Sequence, residues 1–186
     1  MSQLKNTHQA RPTTKKGSRT LLEFLIILLV TFTLCFGIVR PFVAEVFYIP
    51  TESMVPTLEV SDRVVVNKLT YLFSVPQHGD IVVFESPDGE MDLVKRVVGV
   101  PGDSIEVVGG SLYVNEERWE EPYLNRELPD TNSYGPVTVP EGHVFVMGDN
   151  RADSADSRYV IGPVPLEHIE GEAFMRIWPL GKLGFL

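Results

Sequence analysis

One serine in this 186-residue chain lies in a tightly constrained stretch. Ser53 is followed by Met54 and lies between Pro50 and Pro56. Proline fixes its own φ and restricts the residue before it, so a serine held in this way loses little entropy when it meets a ligand. The stretch alone favours a surface turn, because Pro, Ser and Thr are common in turns. A nucleophilic serine is the alternative, and it requires a partner elsewhere in the chain.

A serine acts as a nucleophile when a base accepts its proton, and histidine is the usual base. The chain has four histidines, and none has a strong motif around it. His8 belongs to the polar N-terminal segment, and the other three are interpreted as solvated loop residues beside predicted strands: His78, His143 and His168. A nucleophile elbow of the form Gly-x-Ser-x-Gly is absent from the sequence.

Lysine is the other possible base, and Lys95 lies in a strand-like segment, Asp92–Gly99. Alternate residues of a strand share a face, so Lys95 lies between the apolar Leu93 and Val97. Burial favours the neutral amine, and lowering a lysine pKa from about 10.4 to roughly 8 requires about 3 kcal/mol. The alternative is an edge lysine whose ammonium group reaches solvent along its apolar stem. On this segment alone, the two interpretations have equal support.

A polar stretch of eleven residues, Gly148–Arg158, follows a predicted apolar strand. It contains two arginines, three aspartates and two serines, which first suggests a calcium loop. Counted from Asp149, however, the sixth position is Ser154 instead of glycine and the twelfth is Val160 instead of glutamate, so the EF-hand pattern fails. A plain polar loop is the default interpretation. The density of charged groups predicts a hydrogen-bonded network that locks other residues in place.

Before these stretches comes a long apolar run, residues 21–39, which follows a polar and basic tail, residues 1–20. A helix of this length would span about 28 Å, close to one bilayer core. A cleaved secretory signal is the competing interpretation, but it would have a shorter apolar region and an Ala-x-Ala cleavage site. The sequence therefore predicts a disordered tail, an uncleaved transmembrane signal anchor, and a body of residues 40–186.

Charge is distributed unevenly along the chain, whose net charge is −9. Residues 1–20 carry +5, Glu23 and Arg40 cancel, and residues 41–186 therefore carry −14. The positive-inside rule places the basic tail in the cytoplasm and the acidic body outside the cytoplasmic membrane. An acidic body argues against nucleic acid as its partner. The single Cys35 cannot form an intramolecular disulfide, and it is not expected to be a catalytic thiolate in an apolar run.

The body is predicted to be all-β, in antiparallel sheets or a partly open barrel, because its short apolar strands are separated by Gly and Pro. Gly109-Gly110 is typical of a two-residue hairpin turn. Residues 115–140 are predicted to form a long loop, and a helical turn is expected at Pro165–Ile169. The predicted strands are Phe42–Ile49, Arg63–Val66, Asp80–Phe84, Leu93–Val100, Ser104–Val108, Ser111–Val114, His143–Met147 and Ala173–Trp178.

Taken together, these stretches resemble the bacterial type I signal peptidase (leader peptidase) family in its compact one-span form. The resemblance covers nearly the whole chain, from the apolar run to Arg176–Pro179. Each segment alone is a weak signal, but their order and spacing are jointly very specific. Four segments carry the resemblance: Pro50–Leu58, Asp62–Lys68, Lys95–Asp103 and Gly148–Arg158.

The resemblance implies a membrane-bound serine endopeptidase that removes N-terminal signal peptides from secreted preproteins, cutting after small residues at the −1 and −3 positions. It implies that Ser53 is the nucleophile of a Ser/Lys dyad, that neutral Lys95 is its base, and that an acyl-enzyme forms. The Thr51 hydroxyl and the Ser53 N–H would bind the oxyanion, and Ser154 would orient Lys95. Two further sets are implied: structural ion pairs at Arg96, Asp149, Asp156 and Arg158, and a substrate pocket at Phe47, Ile49, Met54, Leu58 and Val94.

The implied partners are secretory preproteins and membrane lipid, and no metal or organic cofactor is indicated. Two other kinds of protein are considered. A self-cleaving Ser/Lys regulator of the SOS-repressor kind is cytoplasmic, so the apolar run favours the peptidase. An inactive or scaffold membrane-anchored β domain would not require Ser53 and Lys95 to meet.

Overall fold

The computed structural model describes residues 16–39, 42–124 and 129–186 of the chain, which divides into two compact units, Met1–Val39 and Arg40–Leu186. In the first unit, helix α1 (Lys16–Leu34) continues into a π-helical segment, Cys35–Val39. Among the described residues, one helical stretch is long and apolar enough to cross a membrane: Thr20–Gly37, with a mean hydropathy of 2.3 and no buried residue.

The predicted transmembrane anchor of residues 21–39 therefore overlaps this exposed apolar stretch from residue 21 to Gly37. The predicted disordered tail is wrong at residues 16–20, because the helix already begins at Lys16. Residues 1–15 of that tail, including His8, lie outside the described residues.

In its described residues, the second unit contains twelve short strands, one four-residue helix and three 3₁₀ turns, at Arg151–Asp153, Leu166–His168 and Leu180–Lys182. The helix is α2 (Thr70–Phe73). The strands are β1 (Ala44–Tyr48), β2 (Arg63–Asn67), β3 (Ile81–Glu85), β4 (Asp92–Gly99), β5 (Ser104–Val108), β6 (Ser111–Val114), β7 (Glu117–Arg118), β8 (Tyr134–Thr138), β9 (His143–Met147), β10 (Val164–Pro165), β11 (Ile169–Trp178) and β12 (Gly184–Phe185).

These strands form two antiparallel sheets, as the sequence predicts. The larger sheet has eight strands in the order β1-β2-β11-β3-β4-β9-β10, with β12 paired to β11, and the smaller has the order β7-β6-β5-β8. The register sets Lys95 of β4 opposite Val82 of β3, and Arg96 opposite Met147 of β9. Strand β4 thus has a neighbour on each side, so Lys95 belongs to an interior strand and not to a sheet edge.

Four strands lie where the sequence predicts none. Strands β7 and β8 fall inside residues 115–140, which were predicted to be a loop. Strand β8 is hidden in the sequence because Gly135 has a φ of 87° and Pro136 has no N–H to donate, and a strand at a sheet edge tolerates both. Strands β7, β10 and β12 have two residues each, which is too short for an alternating pattern. The helical turn expected near residue 167 is confirmed.

The interior of the second unit consists of three apolar clusters, and one of them lies beneath the Ser53 stretch. That cluster joins residues of the Ser53 stretch, of strands β2, β3 and β11, and of the segment before Pro50. It buries Ile49, Met54, Leu58, Val64, Val66, Ile81, Val83 and Ala173. Burial of Ile49 and Met54 on either side of the exposed residues 50–52 fixes the position of this turn relative to the sheet.

Candidate active site

Ser53 lies in a turn between two buried apolar residues, Ile49 and Met54. The side chains of Ile49 and Met54 are 2% and 1% exposed, whereas Ser53, next to the exposed Glu52, is only half-buried. After the serine, the N–H of Leu58 donates to the carbonyl of Met54 at 2.9 Å. The constrained segment expected from the prolines is thus held mainly by apolar burial, which directs the Ser53 hydroxyl to one side.

Asn150 donates two hydrogen bonds to the same turn, and its sequence context predicts no role for it. Its backbone N–H donates to the carbonyl of Ser53 at 3.0 Å, and its side-chain amide donates to the carbonyl of Glu52 at 3.2 Å. The only signal in the sequence is its place in the polar stretch after β9. Nothing in the sequence shows that it contacts residues nearly a hundred positions earlier.

Strand β4 brings Lys95 to Ser53. The Lys95 Nζ atom lies 2.7 Å from Ser53 Oγ and 3.1 Å from the carbonyl oxygen of Val94, and Lys95 is 3% exposed. The hydroxyl oxygen of Thr51 lies 3.3 Å from Ser53 Oγ. Among the described residues, Ser53 Oγ has no other side-chain hydrogen-bond partner, and the base candidate beside the serine is a lysine.

The two histidines with described hydrogen bonds are engaged elsewhere. His78 lies 2.7 Å from Asp103 through its Nε2 atom, and His143 lies 2.9 Å from the carbonyl oxygen of Glu141 through its Nδ1 atom. Neither contact involves Ser53. The interpretation as solvated loop residues is wrong for His78, which is half-buried and also packs its ring against Trp119, and for His143, which begins strand β9.

Burial changes the protonation of Lys95. Desolvation lowers the pKa of its amine to about 8, and the carboxylates of Asp156 and Asp149 oppose this shift because they favour the ammonium form. Desolvation is the largest of these influences. A substantial fraction of Lys95 is therefore neutral near pH 8, and a neutral amine has the lone pair that a general base requires.

The four residues predicted to form structural ion pairs do lie in pairs behind the lysine. Arg96 donates to both carboxylate oxygens of Asp149 at 2.9 and 2.7 Å, and Thr57 donates to the same carboxylate at 2.5 Å. Arg158 donates to both oxygens of Asp156 at 2.9 and 3.0 Å. Bidentate pairs of this kind fix the relative orientation of the two side chains as well as stabilising their charges. They therefore hold the Gly148–Arg158 loop in one conformation.

Ser154 lies at the back of the site, where it is 9% exposed and packs against Gly148. Its hydroxyl has no hydrogen-bond partner in the described part of the chain, and the predicted bond to Lys95 is not formed in this structure. An orienting role for Ser154 stays a prediction.

The five predicted pocket residues lie together, but they differ in exposure. Phe47 and Val94 are partly exposed at the margin of the apolar cluster, whereas Ile49, Met54 and Leu58 are buried inside it. Phe47 and Val94 are therefore accessible at the surface, whereas the side chains of the three buried residues are not. Among the described residues, no group of three or more His, Cys, Asp or Glu side chains is placed to hold a metal ion.

Comparison with known proteins identifies the family. The model of the signal peptidase family, peptidase S26, matches residues 18–178. The chain belongs to this family. It is 41% identical over 179 residues to a signal peptidase I of Leptolyngbya laminosa, a match that covers 92% of this chain and 86% of the relative. It is 32% identical over 191 residues to signal peptidase I T of Bacillus subtilis strain 168, covering 98% of each chain.

Among solved structures, the chain is similar to a signal peptidase I from Enterococcus faecalis V583, with 35% identity and a TM-score of 0.46. That match covers 53% of this chain and 98% of the other. Members of the signal peptidase family are membrane-bound serine peptidases that remove signal peptides, so this chain is a serine peptidase.

Proposed function

We propose that this chain removes N-terminal signal peptides from secreted preproteins with Ser53 as nucleophile and Lys95 as general base. The observation that carries the proposal is the 2.7 Å separation of Lys95 Nζ from Ser53 Oγ, with the lysine buried. Family membership supports the reaction class, and the relatives named above are themselves called signal peptidases I.

The first chemical step forms an acyl-enzyme. Neutral Lys95 accepts the proton of the Ser53 hydroxyl as Ser53 Oγ attacks the carbonyl carbon at the scissile bond. Negative charge develops on the carbonyl oxygen, and the Ser53 N–H and the Thr51 hydroxyl are the donors proposed to stabilise it. The Lys95 ammonium group then protonates the leaving amine, and the new N-terminus departs.

The second step releases the signal peptide. Lys95, again neutral, accepts a proton from a water molecule that attacks the acyl carbon, and the Ser53 hydroxyl recovers its proton when the intermediate collapses. Asp149 and Asp156 favour the ammonium form of Lys95, so they stabilise the charge that the lysine carries during each transfer. Ser154, which faces the same region, is proposed to orient the amine between the two steps.

Cleavage of a preprotein by the full chain in detergent micelles tests this function. The substrate should carry alanine at −1 and −3, and mass spectrometry of the products should show one cut directly after the −1 residue. A product cut at several unrelated positions would indicate a less specific peptidase. Complete absence of cleavage at any enzyme concentration would favour the inactive or scaffold β domain.

The rate should rise with pH, because only the neutral form of Lys95 is a base. With a pKa of about 8, kcat/KM is expected to increase about tenfold per pH unit below pH 8 and to level off above it. Measurement of kcat/KM on a synthetic signal-peptide substrate from about pH 6 to pH 10 checks the profile. A rate that is flat or falls over the acidic part of this range would contradict a lysine base.

Substrate recognition is proposed to occur along strand β1, which is an edge of the larger sheet, with the small −1 and −3 side chains against Phe47 and Val94. An extended peptide can add to such an edge through backbone hydrogen bonds. Replacement of Val94 by phenylalanine should narrow this surface and shift the preference further towards glycine at −1 or −3. The matched control is Val108→Phe, at an exposed valine of the smaller sheet. If the −1 and −3 preference changed equally in Val94→Phe and Val108→Phe, or did not change in Val94→Phe, the proposed pocket would be wrong.

The tail of residues 1–20 is proposed to lie in the cytoplasm and the body of residues 40–186 outside the membrane, because basic segments are retained inside. Lipid contact is proposed for four exposed apolar residues near the C-terminus, since exposed Trp, Leu and Phe side chains suit the membrane interface. These residues are Trp178, Leu180, Leu183 and Phe185. Protease added to the outside of intact spheroplasts should digest the body and leave the tail, and the reverse pattern would overturn this orientation.

A further inference from the structure

The described residues between β7 and β8 form a loop, as the sequence predicts, and this loop carries side chains that contact the active site. Three of its described side chains contact arginines of the site: Glu121, Tyr123 and Asp130. None of these three residues has a role in the reaction as described above. Their partners are three arginines of the site: Arg96, Arg151 and Arg158.

Glu121 makes the most complete of these contacts. Arg151 donates to both of its carboxylate oxygens, one of them at 2.8 Å, and the Tyr123 hydroxyl donates to the carboxylate at 2.8 Å. The side chains of Arg151 and Glu121 are 4% and 6% exposed. A bidentate pair removed from solvent has one geometry, so Glu121 determines where the Arg151 guanidinium group lies.

Arg151 transmits this position to the nucleophile. Its Nε atom donates to the carbonyl of Gly148 at 2.9 Å. Gly148 has no space for a side chain, because an added Cβ would collide with the carbonyl oxygen of Ser53 and with Ser154. A displacement of Gly148 is therefore a displacement of the backbone at Ser53, and the chain of contacts runs from Glu121 through Arg151 and Gly148 to the nucleophile.

Tyr123 acts on the other side of the dyad. Its ring lies over the Arg96 guanidinium group, with 4.0 Å between the guanidinium carbon and the ring centroid. Arg96 follows Lys95 in strand β4 and holds Asp149. A cation over an aromatic face is attracted by the ring quadrupole, most strongly when both are desolvated. Tyr123 thus supports the strand that carries the base, and it also orients Glu121.

The charges of the site also indicate that Glu121 is needed. Arg96 pairs with Asp149 and Arg158 pairs with Asp156. Arg151 has Glu121 as its carboxylate partner among the described residues. A buried charge without a partner is strongly unfavourable, so Arg151 requires the Glu121 carboxylate to remain where it is.

We propose that Glu121 is a positioning residue for the Ser53–Lys95 dyad, acting through Arg151 and Gly148, with Tyr123 as its support. This inference rests on the proposed peptidase function. Glu121 contacts neither the substrate nor the reacting atoms. It fixes the loop on which the geometry of the nucleophile depends.

The test compares Glu121→Gln and Glu121→Ala with the wild-type chain in detergent micelles, using a synthetic signal-peptide substrate. We expect kcat, expressed per site titrated by the acylation burst, to fall about 10- to 100-fold in Glu121→Ala, because small displacements of a catalytic group have effects of this size. KM should remain within about twofold, since the surface at Phe47 and Val94 is not involved. Glu121→Gln keeps the shape of the side chain but loses its charge. Its kcat should lie between that of the wild-type chain and that of Glu121→Ala.

Two further variants keep the test decisive. Glu121→Asp retains the charge and should recover part of kcat relative to Glu121→Ala, and Glu120→Gln, at the exposed neighbouring position, should leave kcat unchanged. Lower thermal stability with an unchanged kcat per titrated site would reduce Glu121 to a structural residue and overturn the proposal. So would a loss confined to KM. Inactivity of the wild-type chain itself would instead contradict the proposed function.

Discussion

Replacement of Ser53 or Lys95 by alanine is expected to reduce signal-peptide cleavage by about four to six orders of magnitude, the range seen when a nucleophile or its base is removed. Ser53→Ala removes the atom that forms the acyl-enzyme. Lys95→Ala leaves the hydroxyl without a base at 2.7 Å, and the only other described side-chain partner of Ser53 Oγ is the neutral hydroxyl of Thr51. Cleavage of a preprotein over several hours, followed by gel electrophoresis, covers this range.

The double variant Ser53→Ala/Lys95→Ala should be no less active than either single variant. Residues that act as one unit show strongly non-additive effects, because removal of either member already abolishes the shared step. If the losses multiplied instead, the two residues would act in separate steps, and the dyad would be the wrong description.

Lys95→Arg separates the base from the charge. Arginine keeps a positive group and hydrogen-bond donors near Ser53, but it is not deprotonated in proteins and cannot accept the proton. Lys95→Arg is therefore expected to be as inactive as Lys95→Ala. Retained cleavage in Lys95→Arg would mean that the lysine acts only by its charge. Circular dichroism and thermal unfolding of each variant serve as the control for folding.

The chemistry of the site could be predicted from the sequence to the extent that it lies in local patterns. Lys95 is a good case, because strand alternation alone placed it between apolar neighbours, and burial does lower its pKa to about 8. Whether the strand lay at an edge could not be predicted, since the neighbours of β4 are residues 81–85 and 143–147. Pairing between distant segments depends on the whole fold, and it is what excludes a solvent-facing lysine.

Long-range polar contacts could not be predicted from the sequence, because they also depend on pairing between distant segments. Asn150 donates its backbone N–H to the carbonyl of Ser53 and its side-chain amide to the carbonyl of Glu52. No sequence pattern around Asn150 distinguishes it from an ordinary loop asparagine. Glu121 does lie in a loop, as the sequence predicts, but no pattern in residues 115–140 indicates its contact with Arg151. Both residues act through backbone carbonyls or arginines that only the folded chain brings near. Local motifs therefore indicate Ser53 and Lys95, but not the residues that support them.

Gly148→Ala is expected to cost about a hundredfold in kcat, although it adds a single methyl group. The added Cβ would lie closer than 3.0 Å to the carbonyl oxygen of Ser53 and to Cβ and Oγ of Ser154, which is nearer than real Cβ atoms approach. The Ser53 carbonyl is backbone and is held by the Asn150 N–H at 3.0 Å, so it cannot move without the nucleophile. A misplacement of about 1 Å can reduce a rate about 10²-fold. Overpacking should also lower the free energy of unfolding by about 1–3 kcal/mol.

A second substitution distinguishes the two collisions. Gly148→Ala/Ser154→Gly removes the side chain of Ser154 and relieves that collision, but it leaves the one with the Ser53 carbonyl. We expect thermal stability to recover partly and kcat to stay low relative to Ser154→Gly alone. Gly181→Ala, where an added Cβ has nothing within 4 Å, is the control glycine and should leave both quantities unchanged. Wild-type kcat in Gly148→Ala would show that the Ser53 turn adapts to the methyl group, and the dyad would then owe its geometry to Asn150 and the buried Met54 and not to the close approach at Gly148.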